Sequence, residues 1–445
     1  MSTFEHDLTK GNIWKQLVWF AVPFFISNLI QSLYSLIDLI ILGHFGGTNS
    51  ISAANIGGQV LVILTNLAAG LSGGGTVMLG NYLGSKRKDK INGAISTLLT
   101  TLTVMAAVFM VLLFILKQPL LRLLDTPEEA FSQAEQYLFI CTLGLLFIYG
   151  YNALSAIMRG LGDSRTPMIF VMIACVINII LDLVLVAGCH MDAAGAAIAT
   201  VAAQAVSVVF AIILLVKKQL PFTITKADFR LNEHCKKALK TGLPLALQEC
   251  LTQGSFLALC AFVNRLGLEA SSGYGVACKV VNFAMLVPSS LMQSMASFVS
   301  QNVGAGNEKR AKKAMYSGMG IGLVIGCIVF ALVMFKGNLL TGIFTTEQVV
   351  IQKGYDYLRG FALESIVTAI LFSMIGYFNG HDKTLWVMIQ GLIQTLLVRL
   401  PLAYYMSIQP DASLMKIGLA APVATIFGIV INIIFYIHMN KKMHF

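Results

Sequence analysis

Residues 17–42 read LVWFAVPFFISNLIQSLYSLIDLIIL, an apolar run with only a few polar interruptions. About 20 such residues in an α-helix cross the roughly 30 Å of hydrocarbon in a bilayer, so this run can span a membrane. Similar runs recur along the chain, of which 57% is hydrophobic and 12% charged, against about a quarter charged in soluble proteins. The sequence predicts an all-α polytopic membrane protein, because helices satisfy their own backbone hydrogen bonds in lipid.

Twelve transmembrane helices are predicted between short polar connections. Most of the 31 Lys and Arg residues fall in alternate connections, starting with the N-terminal segment, which predicts that both termini are cytoplasmic. This bias also explains the net charge of +10, so no nucleic-acid partner is expected. No cleavage site of small residues follows the first run, so we expect no cleavable signal peptide and a location in the inner (cytoplasmic) membrane. The predicted spans are 17–42, 58–83, 93–116, 133–158, 167–188, 194–216, 243–264, 273–302, 315–335, 353–378, 385–407 and 417–438.

The two halves of the chain resemble each other. GNYLGSKRKDKINGA at 80–94 corresponds to SQNVGAGNEKRAKKA at 300–314, and GDSRT at 162–166 corresponds to GHDKT at 380–384. The offset between matching segments stays close to 220 residues. Repeats of this kind are typical of transporters that hold a substrate between two lobes.

Six spans per repeat predict two six-helix lobes, residues 1–220 and 221–445, joined by a charged cytoplasmic linker at about 217–241. Pro23 in the first span corresponds to Pro244 in the seventh. A proline inside a helix removes a backbone hydrogen bond and can bend the helix, so these two residues are the candidate kinks.

Polar side chains inside the first six spans form the first candidate site. Ionisable groups in hydrocarbon are unfavourable by about 2.5–3.5 kcal/mol each, so each one suggests a function. Asp38 and Asp182 in one dry site could share a proton, since desolvation and mutual repulsion oppose ionisation of both. Two alternatives stay open: the same oxygens with Asn178 and Thr200 could hold Na⁺, or each aspartate could simply bond a neighbouring helix. The candidates are Gln31, Tyr34 and Asp38 on one face of the first span, Asn178 and Asp182 in the fifth, and Thr200 in the sixth.

The second half supplies a further set of ionisable residues. Glu249 and Gln253 share a face of the seventh span, and Glu364 lies in the tenth. Lys279 in the eighth span could pair with either acid or serve a structural role. Arg399 is assigned no function, because it could bond backbone carbonyls or extend toward the membrane surface.

Signs of an enzyme are weak. The segment at 70–74, GLSGG, fits a serine-nucleophile pattern, but no histidine falls where it could act as its base. The chain has no GxxxxGK[ST] motif for a nucleoside triphosphate. We therefore expect neither catalysis nor a cofactor.

The stretch from Asp7 to Gly46 resembles the first span of multidrug and toxic compound extrusion (MATE) transporters, and the likeness continues at 159–167, 195–204 and 301–314. The MATE family includes transporters of the NorM and DinF types, and the resemblance extends to bacterial members of both. The resemblance implies two six-helix lobes forming a V around a central cavity. It also implies export of cationic or amphipathic compounds in exchange for H⁺ or Na⁺, and we expect a monomer.

The resemblance also suggests roles for particular residues. It implies that an N-lobe cation site contains Asp38, Asn178, Asp182 and Thr200, with Tyr34, Tyr137 and Asn152 as neighbours. Glu249 and Glu364 resemble the acids that NorM-type members use in the C-lobe.

One alternative from the wider superfamily is a flippase for lipid-linked oligosaccharides. Such a protein handles an anionic pyrophosphate, so its cavity should be rich in Arg and Lys. The candidate residues here are mainly acids, which favours a transporter of cations.

Overall fold

The computed structural model describes residues 7–124, 126–217 and 233–443, and in these residues the regular structure is entirely helical. The helices in chain order are α1 (Ile13–Phe45), α2 (Gly47–Gly84), α3 (Lys88–Leu123), α4 (Glu128–Gly160), α5 (Arg165–Asp182), π1 (Leu183–Gly188), α6 (Asp192–Lys217), α7 (Glu233–Asn264), α8 (Leu268–Ala284), α9 (Leu286–Gly304), α10 (Glu308–Gly342), α11 (Gln348–Phe361), α12 (Glu364–Gly380), α13 (Thr384–Leu392), π2 (Ile393–Arg399), α14 (Leu400–Ser407), α15 (Leu414–Gly418) and α16 (Ala420–Met443).

The helices confirm the predicted all-α membrane fold. Within the described residues, 11 helical segments are long and apolar enough to cross a membrane. The pair α11 and α12, bent by 49° at a short break, passes the same test together and makes up to 12. Most helices extend a few residues beyond the predicted spans, because a helix continues past the hydrocarbon that its apolar residues match.

Two interruptions within the spans are π-helical. π1 follows α5 directly, and π2 lies between α13 and α14. A π-helix bonds residues i and i+5, and such segments occur frequently at functional sites. An ionisable residue lies at one end of each π-helix: Asp182 directly precedes π1, and Arg399 is the last residue of π2.

The chain divides into two compact units by its internal contacts. The assignment changes within α1 between Ala21 and Val22 and within α7 between Ala246 and Leu247, next to Pro23 in α1 and close to Pro244 in α7. The predicted lobe boundary at 220/221 and most of the predicted linker fall in 218–232, outside the described residues. The N-terminal unit includes the described residues of 1–10, 22–246 and 304–306, and the C-terminal unit those of 11–21, 247–303 and 307–445.

The N-terminal unit packs its helices through small residues. A Cβ built on Gly160 of α4 would lie 2.7 Å from the Cβ of Leu79 in α2, and one on Gly75 of α2 would lie 2.6 Å from Leu98 in α3. Membrane helices gain little from hydrophobic transfer between one another, so close backbone approach supplies dispersion contacts instead. Tyr149 of α4 adds a hydrogen bond of 3.0 Å to a backbone carbonyl of α2.

The C-terminal unit also packs helices closely at small residues, here on α10. Gly318, Gly322 and Gly326 form a ridge in which each glycine contacts a neighbouring helix. A Cβ on Gly322 would lie 2.8 Å from the Cβ of Ala369 in α12. This spacing of small residues lets two helix backbones approach closely.

Candidate functional site

Two aspartates meet in the N-terminal unit. Asp38 lies on α1, and Asp182 ends α5 and is fully buried. Their carboxyl groups lie within hydrogen-bond reach of each other. Two ionised carboxylates can only accept, so a hydrogen bond between them forms only when one of the pair is protonated. The sequence predicted that these residues share a site, and the structure brings them together.

Several oxygen atoms around the aspartates are available to a cation. Asp38 Oδ1, Asn178 Oδ1 and both carboxylate oxygens of Asp182 are buried and have no hydrogen-bond partner within the described part of the chain. Asn178 Nδ2 donates to Thr200 Oγ1 at 3.5 Å, which links α5 to α6. Buried oxygens without donors are unfavourable unless a proton or a cation satisfies them. The oxygen set suits either a proton or a hard cation.

A small cavity opens beside this cluster. Its volume is about 30 Å³, enough for one or two water-sized species. Tyr34 borders the cavity and also interacts electrostatically with Asp38. The polar lining is formed by Gln31, Tyr34, Tyr151, Asn178, Thr200 and Gln204.

Tyr137 and Asn152 do not line this small cavity. Tyr137 on α4 is buried, interacts electrostatically with Asp38 and lies against Gly57 of α2, where an added Cβ would come within 2.7 Å of its ring. Asn152 Nδ2 donates to the Ile148 carbonyl of its own helix at 2.8 Å. The structure therefore brings Tyr137 to the aspartate pair, whereas the amide of Asn152 is engaged by its own backbone.

The C-terminal unit contains a second, larger cavity of about 250 Å³. Glu249 of α7, Glu364 at the start of α12 and Arg399 at the end of π2 all line it. Glu364 Oε1 accepts a hydrogen bond of 2.8 Å from Thr425 Oγ1. The wall combines these charges with carboxamide, aromatic and methionine side chains. Such a lining can accommodate an amphipathic ligand in several orientations.

Two predicted residues of this unit lie elsewhere. Gln253 and Lys279 are exposed and are absent from the cavity lining. Lys279 Nζ lies 5.6 Å from the centre of the Phe344 ring, and the described residues show no ion pair between Lys279 and either acid. The cation in the cavity is Arg399, to which the sequence analysis assigned no function. The rule that selected the acids, an ionisable residue inside an apolar run, would also have selected it.

The MatE family model matches residues 23–184 and again 244–405. The chain belongs to the MATE family of transporters. The two matches begin at Pro23 and Pro244, in agreement with the repeat seen in the sequence. Transport, and not catalysis, is therefore the activity of this MATE protein, which we identify as a multi-pass multidrug efflux transporter.

Relatives of this MATE transporter carry corresponding names. It is 30% identical over 400 residues to "Probable multidrug resistance protein YpnP" of Bacillus subtilis, with 89% of each chain covered. It is 24% identical to "Probable multidrug resistance protein NorM" of Bacillus cereus, covering 99% of this chain and 97% of the relative. Neither relative is named as a lipid flippase, so that alternative gains no support from them.

A solved structure supports the fold independently. It is described as the outward-facing conformation of a multidrug resistance MATE family transporter of the MOP superfamily. The TM-score is 0.94 at 20% identity, and the match covers 100% of this chain and 99% of that one.

Proposed function

We propose that this transporter is an antiporter that exports cationic or amphipathic compounds across the cytoplasmic membrane in exchange for H⁺ or Na⁺. The observation that carries the proposal is the pair Asp38 and Asp182, whose carboxyls lie in hydrogen-bond reach and retain buried oxygens without a donor. When a proton or cation binds to such a pair of carboxyls, their negative charge falls and their interactions with neighbouring groups change. The chain acts as a monomer with both termini in the cytoplasm, and its lobes are residues 1–220 and 221–445.

Neutralisation of the aspartate pair is the coupling step in this scheme. When a proton or Na⁺ occupies the free oxygens, the site loses negative charge and holds a positively charged compound less strongly. The coupling ion then leaves on the cytoplasmic side and restores the charge. The coupling ion and the exported compound bind with different affinities to two conformations, one open to each side of the membrane. This difference in affinity shifts the equilibrium between the two conformations.

The first helix is the element that would respond. Pro23 interrupts the backbone bonding of α1, and Ser27 Oγ donates to the Pro23 carbonyl at 2.7 Å. Hydroxyl bonds back to the preceding turn frequently accompany helix bends. Asp38 lies on the same helix, so a change in its charge can alter the balance between straighter and more bent forms of α1.

The energy available to this exchange is adequate. One proton moving through about 100 mV supplies about 2.3 kcal/mol. A difference of one pH unit adds about 1.4 kcal/mol. For a net-neutral compound, the two terms together can maintain a concentration ratio of about several hundred. For a monovalent cation exchanged one for one with H⁺, the membrane potential cancels and the pH term alone maintains a ratio of about ten.

Transport of ethidium in proteoliposomes tests the proposal. A pH gradient and a Na⁺ gradient are imposed separately on wild type, Asp38→Asn, Glu249→Gln and the control Glu135→Gln. Glu135 is an acid of the same unit as Asp38 that forms an ion pair of 2.8 Å with Lys117 away from the cavity. We expect Asp38→Asn to abolish gradient-driven transport and the control to retain it.

The gradient that drives wild-type transport identifies the ion. If Glu249→Gln loses gradient-driven transport and Asp38→Asn retains it, the coupling site lies in the C-terminal unit instead. If neither gradient moves ethidium or another organic cation, the antiport proposal is refuted.

A further inference from the structure

The larger cavity holds charges of both signs. Glu249, Glu364 and Arg399 reach it from three different helical elements of the C-terminal unit. Arg399 brings a guanidinium, a positively charged group, to the wall. A cavity designed only for organic cations gains nothing from a guanidinium on its wall, because this group repels them.

The hydrogen-bond and ring partners of Arg399 are neutral side chains, one of them Tyr357. Its Nη1 donates to Ser255 Oγ at 3.4 Å, and the centre of its guanidinium lies 4.7 Å from the centre of the Phe256 ring. Its Nε is buried and has no hydrogen-bond partner within the described part of the chain. The guanidinium is therefore held in position while part of its donor capacity remains unused.

Glu364 shows the complementary feature. Glu364 Oε1 is bonded to Thr425, whereas Glu364 Oε2 is buried without a partner in the residues that the structure describes. No ion pair between Arg399 and Glu364 or Glu249 is found in those residues. Arg399 and Glu364 interact electrostatically without forming an ion pair, so the cavity presents an unused donor and an unused acceptor.

We infer that this cavity binds zwitterionic compounds, with the carboxylate of the ligand on Arg399 and its cationic group toward Glu364 and Glu249. Such a ligand gives an acceptor to the free donor of Arg399 and a cation to the free oxygen of Glu364. Unpaired charges in a low-dielectric site are unfavourable, and charge-assisted hydrogen bonds to a guanidinium are among the strong ones. A ligand with only a positive charge satisfies the acids but leaves the free donor of Arg399 without an acceptor.

The remaining wall suits the body of such a ligand. Gln390 and Gln394 add carboxamides to the same lining, and Phe372 and Met292 add apolar surface. Gln394 and Arg399 are five residues apart across π2, the spacing that an i to i+5 helix brings to one side. The inference rests on the proposed function, because it names a substrate class for the exported compounds.

A matched pair of dyes tests the inference. Rhodamine 6G is an ethyl ester and a cation, and rhodamine 19 is its free acid, a zwitterion at neutral pH with the same chromophore. Binding to purified full-length protein is measured by fluorescence anisotropy, and export is measured in proteoliposomes under the driving gradient. The variants are Arg399→Gln, Arg399→Lys and the control Lys279→Gln, which removes an exposed cation of the same unit.

We expect wild type to bind and export both dyes. Arg399→Gln should weaken the binding of rhodamine 19 at least about tenfold, equivalent to about 1.4 kcal/mol. It should leave the affinity for rhodamine 6G unchanged or increase it. Arg399→Lys should give an intermediate loss, because it keeps the charge without the two-pronged geometry. Lys279→Gln should change neither dye.

Two results would overturn the inference alone: equal loss of both dyes in Arg399→Gln, or wild-type export of rhodamine 6G without binding of rhodamine 19. Retained binding of rhodamine 6G shows that Arg399→Gln is folded. If wild type exports neither dye, the proposed antiport function fails and the inference falls with it.

Discussion

Replacement of Asp163 by alanine should destabilise the N-terminal unit without touching the cavity. Asp163 precedes α5, and its Oδ1 accepts from the backbone N–H groups of Arg165 at 2.9 Å and Thr166 at 3.0 Å. Its Oδ2 accepts from the hydroxyl of Thr166, and both side chains are buried. Losing a helix cap is unfavourable by about 0.5–2 kcal/mol. A buried hydroxyl left without its acceptor adds about 1–3 kcal/mol.

The expected loss in the free energy of unfolding is therefore about 2–4 kcal/mol, the sum of these two effects with partial relaxation. Since 1 kcal/mol shifts Tm by roughly 2–4 °C in a domain of this size, Tm should fall by about 4–16 °C. Intrinsic fluorescence during heating in detergent measures the shift. Asp163→Asn should lose less than half as much, because its amide oxygen can still accept the backbone bonds.

Asp89→Ala supplies the matched control. Asp89 is an exposed acid in the first turn of α3, where its interaction with the helix dipole contributes only about 0.3–1 kcal/mol. Transport per folded molecule should be unchanged in Asp163→Ala. Equal Tm values for the Asp163 and Asp89 variants would refute the capping argument.

Two glycine substitutions test the positioning of side chains. Gly57→Ala should slow transport, because the new Cβ would press on the ring of Tyr137, an overpacking that is unfavourable by about 1–3 kcal/mol. The control Gly58→Ala should leave the transport rate unchanged, because a Cβ there meets nothing within 4 Å. Equal transport rates in the two variants would contradict this argument. Gly428→Ala should raise the KM for ethidium because it would displace two carboxamides of the larger cavity. Gly254→Ala, also without neighbours, is its control, and an unchanged KM in Gly428→Ala would count against the role of that wall.

The number of spans was predictable because it depends on each segment separately. The run at 17–42 lies within α1, and the run at 93–116 lies within α3. The bend between α11 and α12 and the two π-helices were not predicted. A one-residue change in hydrogen bonding leaves an apolar run apolar, so its pattern carries no sign of a π-helix.

The candidate site was predictable only in part. Asp38 and Asp182 stood out because ionisable groups are rare in hydrocarbon, and the structure brings them together. The same rule applies equally to Lys279 and Arg399, yet Arg399 lines the cavity and Lys279 does not. Each lies in an apolar run, and nothing in either run indicates which face turns toward the inside of the unit.

The sequence by itself determined the membrane class, the number of spans, the repeat and the set of polar residues inside the spans. These follow from composition and length, since crossing hydrocarbon requires about 20 apolar residues in a helix whatever its neighbours are. The tertiary structure alone decided which polar residues meet and which face outward. In lipid both faces of a helix are apolar, so periodicity loses the information it carries in water, and close packing of small residues determines the rotation of each helix.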